Sequence, residues 1–405
     1  MRLFILCALL LGGVERLAPQ SNKSVPTRIA SVRMRIRDNR VFIPLQVSGP
    51  NGKIKTVLFW VDSGGDIVFL SGPVARELGL REAGPIFNAM GHTRSHFVTK
   101  PGLALAGMKI ELADVSVAAS LSNSKDAFVG VEAGGFLPAT VLKHFDVVLD
   151  YPALIFTLAR SGSITHRGVS VPMMVQPKTG FARVELEIEG ERYGFLLDTG
   201  AAYTGISRSV MDDWAANHPL WHHSIGAVGA ADMVGKEFDA GNELLRIPEI
   251  QWGSIRLRNV GMVSRSAGVY EKSVSEDMAG PIVGALSGNV LRRFRLDLDY
   301  PGGVAYLKLD GSSDFTDLAC AGIVLEIKDN GDVVVSGVSR RDGVAEIAGV
   351  EPGDIILRVD DHEMTGSSLA MALDHLSGTP GHRKLLTIQR GGKVLSVSVT
   401  VTPHP

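Results

Sequence analysis

Two stretches of the chain repeat one another, and this repeat constrains the fold more than any other feature. The first copy reads Val-Leu-Phe-Trp-Val-Asp-Ser-Gly and the second Tyr-Gly-Phe-Leu-Leu-Asp-Thr-Gly, with their aspartates at Asp62 and Asp198. Nine positions after each aspartate stands a serine, Ser71 or Ser207. A single Asp-Ser/Thr-Gly is typical of a turn that follows a strand, so the match has to extend further to carry weight.

The match continues along both halves of the chain. Gly135 and Gly284 are each followed seven positions later by Leu-x-x-Phe, and then by an apolar run that ends in Asp-Tyr-Pro. An internal repeat of this length indicates one structural unit that is encoded twice. The sequence therefore predicts two similar lobes, at residues 24–160 and 170–309.

The composition fits a globular, mainly β protein. A chain of 405 residues is long enough for about two to four domains, and its 46 glycines suit a fold with many turns. The formal net charge of −2 gives no general electrostatic reason to bind nucleic acid or an anionic membrane. Over residues 28–37, arginines alternate with apolar residues, which favours a strand with one solvated face over a nucleic-acid-binding arm.

The N-terminus resembles a secretory signal peptide, predicted over residues 1–20. Met1 and Arg2 precede an apolar run that is too short to span a bilayer, so the mature chain is predicted to have no transmembrane segment. This interpretation makes the protein exported, either periplasmic or secreted from a bacterium; the alternative is a buried N-terminal strand or helix. Without these residues Cys320 is the one remaining cysteine, which excludes a disulfide framework.

Other titratable residues give weaker signals. His92 and His96 have His-x3-His spacing, but Gly91 and the polar residues between the histidines argue against the helix that a zinc site would want. No metal ion or other cofactor is therefore predicted. Asp150 and Asp299, which precede Tyr-Pro at the ends of apolar runs, are interpreted as turn residues.

The two repeated aspartates carry the chemistry that the sequence suggests. If two similar lobes pack about an approximate two-fold axis, Asp62 and Asp198 meet across it. Two carboxylates in contact cannot both ionise cheaply, so the pair would hold one proton between them. The ionised member could then take a proton from a bound water while the protonated member donates to a carbonyl, which is general acid–base hydrolysis of an amide.

The residues after each aspartate are predicted to support the pair. The hydroxyls of Ser63 and Thr199 could hydrogen-bond across the axis and fix the carboxylates. Gly64 and Gly200 would let the backbone turn sharply beside them.

At these residues the chain resembles the aspartic proteases. The lobes look like the short retropepsin type, and both stand in one chain as in pepsin. The resemblance covers about residues 28–309 and implies a bilobal acid-protease β-barrel fold with Asp62 and Asp198 as the catalytic dyad. It also implies flap hairpins near Gly91 and Gly229.

The second copy matches that family better than the first. It continues with alanine after Asp-Thr-Gly and has Ile-Val-Gly ending at Gly284, as the family favours. The first copy has Gly65 and Asp66 after its Asp-Ser-Gly, and Ala-Gly-Gly ending at Gly135. Asp66 could place a further negative charge near the dyad.

The C-terminal part resembles the bacterial form of the PDZ domain, predicted over residues 319–402. The stretch Gly-Val-Ala-Glu-Ile-Ala-Gly-Val-Glu-Pro-Gly-Asp-Ile-Ile over 343–356 carries this resemblance. Such domains bind an extended peptide as an added strand, often by its C-terminus; the alternative is a fold used only for packing. The residues predicted to form the peptide groove are Gly322, Ile323, Val324, Leu369 and Leu373.

Together these features predict an aspartic endopeptidase that acts on peptide or protein substrates and carries a PDZ module for substrate or partner peptides. Both aspartates stand in one chain, so a monomer is expected to suffice. Two alternatives remain open at this point. One is a catalytically inactive peptide-binding protein of the same fold, and the other is a latent protease that is activated through the PDZ domain.

Overall fold

The computed structural model describes residues 29–89, 93–125, 127, 132–226, 241–278, 280–315 and 319–403. The predicted signal peptide and the two flap glycines, Gly91 and Gly229, lie outside these residues. Within the described part, no helix is long and apolar enough to cross a membrane. The structure is mainly β, as predicted, with 50% strand and 11% helix.

The strands follow one another along the whole described chain. The first part of the chain contains β1 Ile29–Arg33, β2 Arg35–Arg37, β3 Arg40–Ser48, β4 Ile54–Asp62, β5 Val68–Leu70, β6 Glu82–Ala89, β7 Thr93–Val98, β8 Gly102–Leu105, β9 Met108–Ile110, β10 Val117–Ser120, β11 Gly135–Pro138, β12 Asp146–Asp150 and β13 Ile155–Ala159. The middle part contains β14 Val169–Pro172, β15 Met174–Val175, β16 Ala182–Ile188, β17 Glu191–Leu197, β18 Gly205–Ser207, β19 His223–Ile225, β20 Glu243–Trp252, β21 Ile255–Arg265, β22 Gly284–Leu286, β23 Phe294–Asp299 and β24 Val304–Leu309. The last part contains β25 Ala319–Cys320, β26 Ile323–Ile327, β27 Val333–Val338, β28 Arg340–Arg341, β29 Val344–Ala345, β30 Ile355–Val359, β31 His362–Glu363, β32 Arg383–Arg390, β33 Lys393–Thr400 and β34 Thr402–Pro403.

Helices are short and few among the described residues. They are α1 Gly72–Glu77, α2 Ala139–Leu142, α3 Arg208–Asn217, α4 Gly288–Leu291 and α5 Leu369–Leu376, with a π-helical segment Val269–Val274 and a 3-10 turn Ser275–Asp277. Helices α1 and α3 begin directly after the repeated serines Ser71 and Ser207, so they occupy corresponding places in the two copies. Helix α5 carries Leu369 and Leu373, two of the predicted groove residues.

Two ten-stranded sheets share a central strand order. In the first, β3, β4, β11, β5 and β10 lie side by side with antiparallel, parallel, antiparallel and parallel pairing in turn. In the second, β16, β17, β22, β18 and β21 follow the same sequence of pairings. The two repeated stretches of sequence therefore form the same local arrangement of strands.

The register of the two arrangements is also the same around one glycine. Gly135 lies opposite Phe59 and Leu70, and Gly284 lies opposite Phe195 and Ile206. In each sheet these partners stand three residues before and eight residues after the repeated aspartate.

A side chain has no room at this glycine. A Cβ on Gly284 would lie 2.3 Å from the carbonyl oxygen of Gly205 and 2.7 Å from the ring of Phe195. A Cβ on Gly135 would lie 2.7 Å from the ring of Phe59. Close approach of backbone and ring thus explains why the sequence has glycine at both places.

A six-stranded sheet joins the two ten-stranded sheets, in the order β1-β13-β12-β23-β24-β14. Its central pair is β12 and β23, which run antiparallel with Val148 opposite Asp297. Asp150 and Asp299 end these strands and accept hydrogen bonds at 3.1 and 2.8 Å from N–H groups three residues on, as their interpretation as turn residues requires. Strand β14, which lies between the two repeated stretches in the sequence, pairs with β24 at the edge of this sheet.

The hydrophobic core is divided in the same way as the sheets. One cluster of buried apolar residues runs through both ten-stranded sheets and the six-stranded sheet, with Phe59, Phe195 and Phe294 among its fully buried members. A separate cluster fills the C-terminal region. The C-terminal region therefore has its own core, as an independent domain requires.

The C-terminal region is a six-stranded sheet with α5 packed against it. Strands β26-β27-β30-β32-β33 form its main path, so β26 lies at one end. Strands β28 and β29 leave this sheet and extend the second ten-stranded sheet, where Arg340 pairs antiparallel with Ile225 of β19. The predicted boundary at residue 319 therefore separates the cores but not the hydrogen-bonded sheets.

We expect Gly284→Ala to lower the free energy of unfolding by about 1–3 kcal/mol, because its Cβ would overlap a backbone oxygen that cannot move aside. Urea unfolding measures the loss. Gly378→Ala is the matched control, since a Cβ there would lie 3.7 Å from its nearest neighbour, an ordinary contact. Equal stability of the two variants would contradict the crowding described at Gly284.

Candidate active site

The structure brings the two repeated aspartates together. Asp62 is the last residue of β4, and Asp198 follows the last residue of β17. A Cβ placed on Gly200 would lie 2.2 Å from Oδ1 of Asp62 and 3.2 Å from Oδ1 of Asp198. The two oxygens are therefore no farther apart than the sum of these two distances, and the carboxyl groups share one small space.

The glycine beside each aspartate makes room for the opposite carboxyl group. A Cβ on Gly64 would lie 2.9 Å from both carboxylate oxygens of Asp198. The corresponding atom on Gly200 would overlap the carboxyl group of Asp62. Each Asp-Ser/Thr-Gly turn therefore needs its glycine because of the other turn, which neither copy reveals by itself.

The hydroxyl residues between aspartate and glycine link the two turns reciprocally. Ser63 Oγ donates to the carbonyl of Leu197 at 2.7 Å, and Thr199 Oγ1 donates to the carbonyl of Val61 at 2.9 Å. Each hydroxyl also accepts from the backbone N–H of the other residue, at 2.9 and 3.1 Å. Both side chains are fully buried, so these hydrogen bonds hold the two aspartate loops in fixed positions.

Backbone N–H groups orient the carboxylates unequally. Asp62 Oδ1 accepts from Gly64 N at 3.0 Å. Asp198 Oδ1 accepts from Gly200 N at 2.7 Å and from Ala201 N at 3.2 Å. Because N–H donors favour the ionised form of a carboxyl group, Asp198 is better prepared than Asp62 to carry the negative charge.

The nearby charges also favour a protonated Asp62 and an ionised Asp198. Burial raises the pKa of Asp62 well above its ordinary value, and the charge of Asp198 raises that pKa further. Burial also raises the pKa of Asp198, but two N–H groups and the charges of Arg40 and Arg265 oppose the rise. We infer that Asp62 holds the shared proton and Asp198 the shared charge, with pKa values that belong to the pair.

Asp66 contributes to this balance as the sequence suggested. It is exposed, and its charge adds a smaller upward effect on the pKa of Asp62, after those of burial and Asp198. This difference between the first copy and the second thus changes the electrostatics near Asp62.

Arg40 belongs to the site and was not identified from the sequence. It begins β3, is 4% exposed, and donates from Nε to the carbonyl oxygen of Gly200 at 3.1 Å. The sequence feature that could have identified Arg40 is its position directly before the apolar run of β3. A charged residue at the start of a buried strand needs a buried partner. The neighbouring arginines do form a solvated face as interpreted, since Arg35 and Arg37 lie on exposed positions of β2.

Most of the predicted groove residues of the PDZ region are buried in this structure. Ile323 and Val324 are each 1% exposed and Leu373 is 5% exposed. Ile323 and Leu373 belong to the apolar cluster of the C-terminal region, and Leu369 is partly buried against it. These side chains therefore contribute to the core of the region.

The predicted groove residues Gly322, Ile323 and Val324 lie at the start of β26. Gly322 precedes the strand with φ of 68°, and Ile323 and Val324 belong to β26 and pair with β27. The backbone before Gly322 is bound to the end of α5, since Ala321 N donates to the carbonyl of Leu376 at 3.0 Å.

The remaining candidates give no site in the described residues. No group of three or more metal-binding side chains converges there. His92 and the two flap glycines lie outside those residues.

We expect Asp62→Asn to stabilise the protein increasingly as the pH rises. The native state binds the Asp62 proton more tightly than the unfolded state, so wild-type stability falls as pH rises from the ordinary aspartate pKa through the raised one. The asparagine variant lacks this loss. Melting temperatures across pH measure the effect, with the exposed Asp361→Asn as control. A melting-temperature difference that is constant with pH would contradict the raised pKa.

We expect Thr199→Val to lower the free energy of unfolding by about 1–3 kcal/mol, because the buried N–H of Ser63 loses its acceptor at unchanged side-chain shape. Thr199→Ser keeps the hydroxyl and is the control for it. Urea unfolding of both variants compares them, and a valine variant as stable as the serine variant would rule out an energetic role for the link.

Comparison with protein families matches residues 334–390 to the PDZ domain. No curated protein matches the chain. The prediction of a PDZ domain over residues 319–402 is therefore confirmed for its central part, and the C-terminal region is similar to a known class of peptide-binding modules.

Proposed function

We propose that the chain is an aspartic endopeptidase of the bilobal acid-protease fold, which hydrolyses peptide bonds with a water activated by Asp62 and Asp198. The observation that carries the proposal is the convergence of the two carboxyl groups in one small space. The reciprocal Ser63–Thr199 link and the unequal N–H donors support it, because general acid–base catalysis requires two carboxyl groups of different protonation at fixed separation.

The roles follow from the electrostatics of the pair. Asp198, as carboxylate, takes a proton from the bound water while the water oxygen bonds to the carbonyl carbon of the peptide. Asp62 gives its proton to the carbonyl oxygen, and a tetrahedral diol forms. The diol then collapses: the C–N bond breaks, a proton from Asp198 goes to the leaving nitrogen, and Asp62 recovers its proton from a hydroxyl. Two aspartates that share one proton are the catalytic groups of the aspartic proteases.

The strand arrangement supports two equivalent lobes. The repeated aspartates stand at corresponding ends of β4 and β17, each beside a parallel strand that begins with a crowded glycine. The six-stranded sheet pairs β12 with β23 across the join. This arrangement gives Asp62 and Asp198 corresponding positions in two similar sheets of one chain, so a monomer would contain a complete dyad.

The C-terminal region adds a peptide-binding module to the proposed enzyme. PDZ domains bind an extended peptide beside an edge strand, and β26 lies at the end of its sheet beside α5. We propose that this module binds a substrate or partner peptide by its C-terminus, and that the protein acts after export, in the periplasm or outside the cell. In the latent form of this function, cleavage awaits a peptide that binds at the groove.

We expect the purified protein to cleave a mixed peptide library at acidic to neutral pH, with activity that falls on both sides of an optimum. Asp198→Asn and Asp62→Asn should each lower kcat by at least about a hundredfold, because each removes one proton carrier. Mass spectrometry of the products measures cleavage. Asp66→Asn is the matched control and should retain cleavage, since Asp66 is exposed and assigned no proton transfer.

C-terminal peptides are added in a second arm of the same experiment. Cleavage that appears only with them identifies the latent enzyme. Cleavage retained by either dyad variant refutes the proposed mechanism. Silence of the wild type in both arms refutes the peptidase and leaves a peptide-binding protein of the same fold.

A further inference from the structure

We propose that Arg40 is a positioning residue of the dyad: from the opposite lobe, its guanidinium fixes the Asp198–Gly200 loop and supplies the buried positive charge that keeps the pair singly ionised. The proposal rests on the proposed peptidase function for its kinetic consequences. Its geometric basis is independent of that function.

The contacts of Arg40 lead directly to the second aspartate loop. Its Nε donates to the carbonyl of Gly200, the residue whose N–H holds Asp198 Oδ1. The guanidinium therefore binds the carbonyl of Gly200, while the N–H of the same residue orients the Asp198 carboxylate. A shift of Arg40 would move Gly200 and with it the N–H that holds the carboxylate, because both hydrogen bonds restrict one residue.

The surroundings of Arg40 fix the guanidinium itself. Its Nη1 is ion-paired with Asp38, and both side chains are almost wholly buried. The carbon of the guanidinium lies 5.4 Å from the centre of the Trp60 ring, within range of a cation–π contact. Asp38, the Trp60 ring and the Gly200 carbonyl thus contact Nη1, the face of the guanidinium and Nε respectively. A buried cation requires such partners.

The turn that carries Arg40 is fitted to the second lobe. Asp38 and Asn39 have φ of 47° and 59°, so the turn between β2 and β3 has two left-handed residues. Asn39 Oδ1 accepts from Arg292 Nη1 at 2.7 Å. A Cβ on Gly288 would lie 2.2 Å from the carbonyl oxygen of Asn39. The turn therefore lies against α4, which aligns Arg40 with the active-site loop.

The charge of Arg40 acts on both catalytic carboxyl groups. It lowers the pKa of Asp62 and the pKa of Asp198, against the effect of burial. Burial raises the pKa of Asp38, whereas the charge of Arg40 lowers it. Besides Arg40, the charges of Asp66 and Arg265 shift the pKa values of the dyad, and the charge of Asp374 raises the pKa of Asp38. The charge of Asp198 in turn raises the pKa of Asp62, of Tyr151 and of Tyr270.

Removing the charge of Arg40 should change the pKa values of both carboxyl groups in a predictable direction. Without Arg40 the pKa of each carboxyl group rises, so both limbs of the pH–rate profile move to higher pH. A residue that only stabilised the fold would lower the amount of active protein without moving either limb. The pH profile therefore separates the two roles.

The experiment compares Arg40→Gln, Arg40→Lys and Arg37→Gln in the full chain. Arg37 stands three positions before Arg40 in the same turn region, but its side chain is 53% exposed and pairs with Glu132 at the surface. For Arg40→Gln we expect both apparent pKa values of the pH–rate profile to rise by about one pH unit and kcat to fall about tenfold or more. Arg40→Lys should have a lower kcat but a pH–rate profile near that of the wild type. Arg37→Gln should have the kcat and the pH–rate profile of the wild type.

A second readout does not depend on activity. Carboxyl carbon NMR of protein labelled at aspartate, with Asp62→Asn to assign the signal, gives the titration of Asp62 directly. We expect its midpoint to rise in Arg40→Gln and to stay in Arg37→Gln. If the wild type cleaves nothing, the peptidase proposal fails while this titration still tests Arg40.

Two results would overturn the proposal. One is an unmoved Asp62 titration or unmoved limbs in a folded Arg40→Gln variant. The other, decisive if the glutamine variant does not fold, is an Arg40→Lys variant with wild-type kcat, because lysine cannot reproduce the fork that reaches both Asp38 and Gly200.

Discussion

Two buried hydroxyl groups hold the structure together at its centre. Ser63 and Thr199 exchange hydrogen bonds with one another's backbone and with the strands that precede the opposite aspartate. Neither sheet can shift along the other without breaking these four hydrogen bonds in the interior, where each polar group left unpaired would cost about 1–3 kcal/mol. The position of each carboxyl group, the need for glycine beside it and the separation of their pKa values all depend on this fixed alignment.

Much of the fold and of this site could be predicted because the sequence states it twice. The repeated stretches place an apolar run directly before Asp62 and Asp198, and these runs form β4 and β17. The same offsets around Asp62 and Asp198 were enough to single out the two aspartates, Ser63 and Thr199, which the structure brings together. The repeat was informative because agreement between two copies arises by chance less often than a single motif does.

What could not be predicted depends on contacts between distant segments. Arg40 lies 160 positions before Gly200, and their contact exists only in the folded chain. The division of proton and charge inferred for Asp62 and Asp198 follows from N–H groups and nearby charges that propensity does not encode. The burial of Leu373 likewise depends on how α5 packs in the C-terminal region, which the residue types leave free.

The pairing of Arg340 with Ile225 has a consequence for how the chain can be divided. Strand β19 is short, and its outer side is covered by β28 from the C-terminal region. If that region were cut away, an uncovered strand edge bearing the exposed apolar Ile225 would remain on the second sheet. Such edges pair readily with other chains. The C-terminal region thus also acts as a lid on a sheet edge, and a shortened protein would be prone to self-association whatever its catalytic state.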